Sequence, residues 1–496
     1  MSSSENKQKS NFSYWLIPVF VLLFLAMILL FADRWYIRTY GQTNFDSILF
    51  TITSNLSGTS STLLLQYLLQ GLLPAVLVSA GLIILACVVL HRRKVKIWMV
   101  TTTLCLVSVA AITFAAFDSQ LVDYLVSICG SYNIYEEEYH DPKDTTITFP
   151  EKKRNLVYIV LESMETSFLS KDLGGGVDNN LIPELYELAK NNVNFSQNGD
   201  VGGFRQSTGA TWSIGSLVSQ TSGVPLVPMV SQNEESTDGQ FLPGLTTMMD
   251  ILHENGYYQA FMLGSSAAFA DTGLYYNVHG VDKIYDIYTA WGDGVVANGY
   301  WDGWWGMEDY HLFEYAKQEL TRISQQDQPF AFTFMTIDTH HIGGNPCPYC
   351  DSDYVEQYDN VISCSSRQVS LFMAWLREQD FYENTTVVIV GDHNSMDAAY
   401  FDRNVAKNYV RRVYNCFINS AVEPINSKNR EFTTLDLFPT TLAALGCTIE
   451  GDRLGLGTNL FSTRPTLAER WGYDTLCTRL YTNKDYYTEH FRTKAE

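Results

Sequence analysis

The chain contains two nearly continuous apolar runs far apart in the sequence, Asn155–Leu161 and Thr386–Val390. Both are rich in β-branched residues, as is typical of parallel strands that are buried on both faces. The first is followed by Glu162, and the second by a Gly-Asp-His sequence that ends in Asp392 and His393. Because chemistry gathers at the carboxyl ends of parallel strands, we expect these three side chains to bind one divalent metal ion. The alternative is that they are capping or solvated loop residues.

From residue 153 onward, strand-like runs alternate with helix-like segments, which predicts an α/β domain with a mostly parallel sheet flanked by helices. The predicted strands are Leu156–Leu161, Ala260–Leu263, Phe330–Ile337 and Thr386–Val390. The predicted helices are Ile182–Asn191, Leu245–Asn255, Leu312–Gln325 and Arg367–Glu378.

Three apolar segments precede residue 120: Tyr14–Ala32, Leu72–Leu90 and Ile97–Phe117. Each is about long enough to cross a hydrocarbon core of roughly 30 Å. The first has no obvious small-residue cleavage site, so we interpret it as a retained span rather than a signal peptide. The predicted organisation is a membrane region at 1–120 with three transmembrane helices, a polar linker at 121–152 and a catalytic domain at 153–496.

The basic residues predict the orientation of these spans. Lys7 and Lys9 precede the first span, and the basic segment His91–Lys96 lies between the second and third. The positive-inside rule places both regions in the cytoplasm, although Arg34 and Arg38 argue the other way. Three spans then place the catalytic domain of a multi-pass cell-membrane protein on the extracytoplasmic side.

The formal net charge of −21 excludes nucleic acid as an expected partner, because phosphate binding requires a basic face.

Three of the nine cysteines, Cys347, Cys350 and Cys364, are close together in the sequence. Outside the cytoplasm a disulfide is favoured over a zinc knuckle. We therefore predict a bridge from Cys364 to either Cys347 or Cys350.

A glycine-rich segment, Gly202–Ser213, contains Arg205 and leads into a helix-like run, Ile214–Val218. A hydroxyl group at a helix N-terminus lies among free backbone donors at the positive end of the helix dipole. A nearby metal ion would make such a hydroxyl a nucleophile. The alternative is that the segment's Ser and Thr residues serve only as helix caps.

A third strand end carries Asp338, His340 and His341, and a separate aromatic segment contains Trp305. The histidines are candidates for binding a phosphoryl group or for protonating a leaving oxygen. Trp305 is a candidate wall for a glycerol or sugar group. Structural histidines and core packing of Trp305 are the alternatives.

Together these motifs resemble the membrane-anchored phosphoglycerol transferases of the alkaline-phosphatase-like sulfatase superfamily. That branch includes lipoteichoic acid synthases and periplasmic-glucan phosphoglycerol transferases. The motifs are Leu161-Glu162-Ser163, Ala210-Thr211-Trp212-Ser213-Ile214, Trp305-Gly306-Met307, Asp338-Thr339-His340-His341, Gly391-Asp392-His393, Asp436-Leu437-Phe438-Pro439-Thr440 and Leu454-Gly455-Leu456-Gly457.

The resemblance implies a site and a reaction. Glu162, Asp392, His393 and the nucleophile would bind one Mn²⁺ or Mg²⁺ ion, with Zn²⁺ less expected. His340 or His341 and Trp305 would contact the phosphoglycerol. Asp338 and Arg205 are further candidates for substrate binding. Phosphoglycerol would pass from phosphatidylglycerol, through a covalent intermediate, to a hydroxyl of an extracytoplasmic glycan or teichoic-type polymer.

The nucleophile position departs from the family pattern, which tends to read Thr-x-x-Ser/Thr. A gapless match places Ala210 at the nucleophile position and Ser213 at the trailing hydroxyl. A shift of one residue instead makes Thr211 the nucleophile and fourth metal ligand, which is our prediction for an active enzyme.

Other functions remain open at this point. A sulfatase, a phosphodiesterase or a phosphoethanolamine transferase could use the same scaffold. Ala210 also permits an envelope scaffold that has lost catalysis.

Overall fold

The computed structural model describes residues 16–41, 45–53, 61–92, 95–128, 132–197, 199–228, 239–481 and 484–493. They belong to two compact units. The first comprises residues 1–38 and 61–122, and the second comprises residues 39–60 and 123–496.

The first unit contains helices that are long and apolar enough to cross a membrane: Leu16–Tyr40, Leu63–His91 and Ile97–Asp118. The second of these includes a π-helical turn, Leu68–Leu72, between the α-helices Ser61–Tyr67 and Leu73–His91. The prediction of three apolar helices is confirmed, and the chain is a membrane protein. The first helix continues well beyond the predicted Ala32, and its last two residues belong to the second unit. Tyr14, Lys7, Lys9, Arg93 and Lys94, which entered the predictions of the first span and of the orientation, lie outside the described residues.

The second unit is built on a seven-stranded sheet with the strand order β3-β8-β7-β2-β6-β4-β5. The strands in chain order are β1 Ile147–Thr148, β2 Asn155–Leu161, β3 Gly203–Phe204, β4 Tyr258–Leu263, β5 Lys283–Tyr285, β6 Phe330–Met335, β7 Thr385–Gly391, β8 Val413–Ile418, β9 Thr448–Ile449, β10 Arg453–Leu454 and β11 Gly457–Thr458. Strands β5, β4, β6, β2 and β7 are mutually parallel, whereas β8 is antiparallel to β7 and to β3. The predicted α/β class with a mostly parallel sheet is confirmed.

The α-helices described in the chain are Leu16–Tyr40, Phe45–Thr53, Ser61–Tyr67, Leu73–His91, Ile97–Asp118, Leu121–Ile128, Ile134–Glu138, Pro183–Lys190, Ser213–Ser222, Met248–Glu254, Thr272–Val278, Ile287–Gly292, Asp309–Ile323, Gln357–Arg377, Ala398–Asn404, Leu437–Ala444, Leu467–Trp471, Tyr473–Leu480 and Lys484–Tyr487. The four helices predicted from the sequence are among them, and their ends are shifted by one to three residues except at the start of the last, which begins ten residues earlier than predicted. The predicted helix Arg367–Glu378 is the second half of Gln357–Arg377.

Strand β2 shows why the apolar runs are continuous. Its side chains at 156, 158 and 160 belong to the core on one face of the sheet, and those at 157, 159 and 161 to the core on the other face. Alternate residues of a strand point to opposite faces, so a strand covered on both sides needs apolar residues throughout.

Part of the predicted linker 121–152 is folded into the second unit. Strand β1 pairs with β9, and Glu138 accepts hydrogen bonds from the side chains of both Arg453 and Arg470 at 2.7 Å. The acidic run Glu136–Glu138 is typical of a solvated segment, and its two basic partners are more than three hundred residues away in the sequence. This part of the predicted linker is therefore packed within the second unit.

The predicted disulfide from Cys364 is also not formed. Cys347, Cys350 and Cys364 are not joined by disulfide bonds in the structure. The sulfur of Cys347 lies 3.7 Å from that of Cys350 and 3.7 Å from that of Cys364, so no single pair is selected.

Candidate metal centre and active site

Glu162, Asp392 and His393 meet at the carboxyl ends of two neighbouring parallel strands. Leu161 of β2 is in register with Gly391 of β7, so the residues that follow lie side by side. The His393 Nε2 atom is 3.2 Å from Asp392 Oδ2 and 3.8 Å from Glu162 Oε1. All three side chains are buried, and their ligand atoms lie within 4.8 Å of one another.

The close approach of the two strand ends depends on a glycine. A Cβ atom at Gly391 would lie 2.1 Å from the carbonyl oxygen of Met164 in the turn after β2. No other residue type therefore fits directly before Asp392 without displacing this turn. The glycine of the Gly-Asp-His sequence is a packing requirement of the site.

The donor set fits a divalent metal ion. Asp392 Oδ2 is buried and accepts no hydrogen bond from the described residues. Burial and the neighbouring Glu162 carboxylate raise the pKa of Asp392 to about 7. Burial acts to lower the pKa of His393, but the Asp392 and Glu162 carboxylates raise it overall. Two carboxylates and an imidazole this close are stabilised by a cation, which replaces the protons they otherwise share.

Hydrogen bonds fix the orientation of each ligand. The backbone N–H groups of Ser163 and His393 both donate to Asp392 Oδ1 at 2.7 Å, and the Ser163 hydroxyl donates to Glu162 Oε1 at 2.6 Å. His393 Nδ1 lies 2.9 Å from the carbonyl oxygen of Asn394. A proton on Nδ1 satisfies that carbonyl and leaves Nε2 free to bind a metal.

Ser213 is the hydroxyl residue that the structure brings to these ligands. It is the first residue of the helix Ser213–Ser222, and its Oγ lies 3.3 Å from both Glu162 Oε2 and His393 Nε2. Free backbone N–H groups at a helix N-terminus stabilise negative charge there. The side chain is also partly exposed to solvent.

Thr211 and Ala210 lie elsewhere. The Thr211 hydroxyl is hydrogen-bonded to Ser47 at 2.8 Å, and Ala210 is fully buried. The extended backbone of Trp212 separates Thr211 from the helix N-terminus, with φ of −145° and ψ of 162°. Because the helix begins two residues after Thr211, it brings Ser213 rather than Thr211 into contact with the predicted metal ligands. Ser213 was among the candidates, but only as the trailing hydroxyl.

A cavity with about 500 Å³ of empty space, including its opening to solvent, lies beside Ser213. Its lining comes from several strand ends and includes Ser265, Ser266, Trp305, Thr336 and His340. Sequence analysis missed Ser265 and Ser266, although they follow the predicted strand Ala260–Leu263 in the way that Glu162 follows its own strand. The same strand-end argument could have found them.

The two histidines of the tandem pair have different surroundings. His340 lines the cavity, its ring centroid is 4.7 Å from that of Trp305, and its Nδ1 lies 2.7 Å from the His341 carbonyl oxygen. Burial lowers the pKa of His340 to about 4, so its imidazole is neutral. His341 is buried between the rings of His340 and Tyr40. Burial also lowers the pKa of His341.

Asp338 and Arg205, predicted to bind substrate, are engaged in other contacts. Asp338 Oδ2 accepts a hydrogen bond from the Asp309 backbone N–H at 3.1 Å, within a buried carboxyl pair. Burial and the Asp309 carboxylate raise the pKa of Asp338. The Arg205 guanidinium lies 3.2 Å from the centroid of the Tyr473 ring. These contacts favour structural roles for both residues.

A set of supporting residues was missed by sequence analysis. Thr336 accepts a hydrogen bond from the Glu162 N–H at 3.0 Å, Ser216 donates to the Asp392 carbonyl, and Gln220 donates to the Gly391 carbonyl at 3.0 Å. Ser, Thr and Gln residues are common throughout the chain, so no sequence pattern distinguishes these. They become apparent only once the three strand ends are adjacent.

Comparison with known proteins agrees with this architecture. The Sulfatase family model matches residues 154–447, which is more than half of the chain. The chain belongs to the Sulfatase family. The matched region contains every proposed metal ligand, Ser213 and the whole cavity lining.

Curated relatives include phosphoglycerol transferase I of Xanthomonas euvesicatoria pv. vesicatoria, 29% identical over 335 residues. That match covers 65% of this chain and 43% of the relative. Phosphoglycerol transferase I of Escherichia coli O127:H6 is 24% identical over 402 residues, covering 78% of this chain and 49% of the relative. The chain thus spans less than half the length of these relatives.

Among solved structures, the lipoteichoic acid synthase LtaP of Listeria monocytogenes is similar in fold. The TM-score is 0.50 at 19% identity, covering 64% of this chain and 79% of that protein. At this identity the likeness concerns the fold alone.

Proposed function

We propose that this membrane protein is a metal-dependent phosphotransferase that moves phosphoglycerol from phosphatidylglycerol to a hydroxyl group of an extracytoplasmic glycan or teichoic-type polymer. The observation that carries the proposal is the position of the Ser213 hydroxyl, 3.3 Å from two predicted metal ligands and at the edge of an open cavity. The names of the curated relatives support phosphoglycerol as the transferred group. The three apolar helices suit a lipid donor.

In the first step, Ser213 Oγ would form a bond to the donor phosphorus while the bond to the diacylglycerol oxygen breaks, and the proton of the Ser213 hydroxyl would pass to that oxygen, which leaves as diacylglycerol. In the second step, the acceptor hydroxyl would attack the same phosphorus while the bond to Ser213 Oγ breaks, and the proton of the acceptor would return to Ser213 Oγ. The helix N-terminus stabilises the charge on the phosphate in both steps.

Glu162, Asp392, His393 and Ser213 would hold one divalent ion, and their hard and borderline donors suit Mn²⁺ or Mg²⁺. Such an ion lowers the pKa of a bound hydroxyl and neutralises charge on the phosphate. His340 is neutral, and a proton on its Nδ1 satisfies the His341 carbonyl, so its Nε2 would be a hydrogen-bond acceptor that orients the attacking acceptor hydroxyl.

The proposed function is tested with the full chain purified in detergent and labelled phosphatidylglycerol, by measuring diacylglycerol release with and without acceptor. We expect Ser213→Ala to lose about 10³-fold or more in rate, because the nucleophile is removed. Thr211→Ala is the matched control and should stay within about threefold of wild type. Mass spectrometry of a trapped phosphoglyceryl peptide should identify Ser213.

Diacylglycerol release that is unaffected by Ser213→Ala would refute the nucleophile assignment. Release that is equally fast without any acceptor, with free glycerol phosphate as product, would instead indicate a phosphodiesterase. The alternative hypothesis of a catalytically inactive scaffold was based on Ala210. The contacts of Ser213 with the predicted metal ligands argue against that hypothesis.

A further inference from the structure

Three cysteine sulfurs meet where the loop after His341 contacts the helix Gln357–Arg377. Cys347 Sγ lies 3.7 Å from Cys350 Sγ and 3.7 Å from Cys364 Sγ, and all three sulfurs are within 4.8 Å of one another. Cys347 and Cys364 are buried, and Cys350 is half-buried. The mechanism proposed above uses none of them.

These separations match a tetrahedral thiolate site. Zinc–sulfur bonds are about 2.3 Å, and at a tetrahedral angle two sulfurs on one zinc ion are therefore about 3.8 Å apart. A disulfide would join only two of the three sulfurs, at about 2.05 Å. Because Cys347 is equally distant from both neighbours, the geometry suits one shared ion better than a particular pair.

The local backbone also fits a metal site. Cys347 and Cys350 flank a tight turn in which the Cys350 N–H donates to the Cys347 carbonyl at 3.0 Å. Two cysteines separated by two residues are a common ligand spacing for zinc. Cys364 supplies the third sulfur from the rigid helix, so two different elements hold the ligands.

Neighbouring donors point at the sulfurs. Gln368 lies one helical turn after Cys364, and its Nε2 is 3.4 Å from Cys364 Sγ and 3.8 Å from Cys347 Sγ. Its Oε1 is buried without a hydrogen-bond partner in the described part of the chain, so the sulfurs orient the amide. The Arg367 guanidinium lies 4.0 Å from Cys364 Sγ. N–H donors around metal-bound thiolates offset their negative charge.

We infer that Cys347, Cys350 and Cys364 form a second metal site, which binds one soft divalent cation, Zn²⁺, through three thiolates. The ion ties the loop to the helix. The Asn345 N–H in the same loop donates to the Asp338 carbonyl at 2.7 Å. By tying this loop to the helix, the ion also stabilises the strand end that carries His340.

The test measures the zinc content of the full chain, purified in detergent without reductant or added metal. We expect about one zinc ion per chain in the wild type, and we expect Cys364→Ser to lose it. Cys416→Ser, which changes a buried thiol on β8, and Asp392→Asn, which alters the other metal site, should both retain it. A zinc-free wild type, or zinc retained in Cys364→Ser, would overturn the inference.

Alkylation of the denatured wild-type chain tests the disulfide directly. With chelator present and no reductant, we expect Cys347, Cys350 and Cys364 all to be modified, because a metal site leaves three thiols. Modification of two of them only after reduction would identify a disulfide and refute the site. Wild type alone suffices here, so the test remains decisive if Cys364→Ser does not fold.

Cobalt provides a spectroscopic check on the same protein. We expect Co²⁺ to produce a thiolate-to-cobalt charge-transfer absorption in wild type and in Asp392→Asn. Co²⁺ binding without that absorption would refute thiolate ligation.

Discussion

At the scale of single residues, Ser163 illustrates how the metal site is held in shape. Its backbone has φ of 54°, in the left-handed region that non-glycine residues seldom adopt. This conformation lets its N–H reach Asp392 while its hydroxyl reaches Glu162. A strained residue at a functional site is kept when it makes contacts that a relaxed residue cannot make.

Ser163→Ala should weaken Mn²⁺ binding about tenfold, because Glu162 loses the hydrogen bond that orients it. Titration calorimetry of the detergent-solubilised chain measures this. Ser365→Ala is the matched control, since Ser365 is buried and its hydroxyl has no hydrogen-bond partner among the described residues. Equal Mn²⁺ affinities in the two variants would show that the hydroxyl of Ser163 does not orient the ligand.

At the scale of elements, the helix Ser213–Ser222 is held tightly against the loop before it. A Cβ atom at Gly215 would lie 2.5 Å from the Gly209 carbonyl oxygen and 2.9 Å from the Trp212 ring. The first turn of the helix therefore has a fixed position relative to the loop. The position of Ser213 Oγ depends on that contact.

Gly215→Ala should displace the first turn of this helix, destabilise the protein by about 1–3 kcal/mol and lower the rate of diacylglycerol release. Thermal unfolding and the release assay measure the two effects. Gly292→Ala serves as control, because a Cβ atom there meets nothing within 4 Å. The packing argument fails if both variants unfold and react alike.

In the folded part of the segment before β2, the ion pairs of Glu138 should make the stability of the protein depend on pH. Burial alone would raise the pKa of Glu138, but hydrogen bonds from Arg470 and Arg453 lower it overall. A carboxyl whose folded pKa is depressed contributes stability at neutral pH, and that stability is lost as the pH falls through the folded pKa. Glu138 therefore stabilises the protein more at neutral than at acidic pH.

Glu138→Gln should destabilise the protein by about 3 kcal/mol at neutral pH, because it leaves the buried Arg453 without its counter-ion. The difference from wild type should shrink as the pH is lowered into the acid range. Denaturant unfolding across that range measures it. Glu136→Gln, on the exposed side of the same helix, should change little at any pH. A pH-independent difference would contradict the proposed charge contribution.

At the scale of the whole molecule, the metal site joins parts of the chain that are distant in sequence. Binding of an ion to the folded state alone stabilises that state by about 2.7 kcal/mol at a concentration of 100 times the Kd. The stability of the second unit should therefore depend on metal concentration.

Adding Mn²⁺ to chelator-treated protein should raise the unfolding temperature of the wild-type chain by several degrees. Asp392→Asn should show little or no such rise, since it replaces a ligand carboxylate. Differential scanning fluorimetry of both proteins tests this. A rise of equal size in the variant would mean that Mn²⁺ acts at another site.

Structural features are best predicted from the sequence where their residue composition has a single physical explanation. The long apolar segments and the continuously apolar strands could be identified because burial on all sides requires such composition. The meeting of Glu162 with Asp392 and His393 follows from the rule for parallel strand ends. Which hydroxyl lies beside these ligands could not be predicted, because the sequence contains hydroxyl groups on both sides of Trp212 and the position of the helix start is not apparent from it.

Other features depend on contacts between distant residues. The acidic run that ends at Glu138 has the same polar sequence whether or not two arginines contact it in the fold. Its ion pairs could therefore not be predicted from that sequence. Strand β8 was missed, because Asn415 interrupts its apolar run and is satisfied by hydrogen bonds to the distant carbonyls of Phe195 and Gly202.

The position of β2 at the centre of the sheet has a consequence for biosynthesis. Both of its neighbours, β6 and β7, are translated later than β2 itself. Until β6 has been synthesised, β2 has no partner on either edge, and until residue 391 is reached its edge toward β7 stays unpaired. A chaperone that shields this segment would prevent premature aggregation, and a translation product interrupted before β7 would lack the strand end that carries Asp392 and His393.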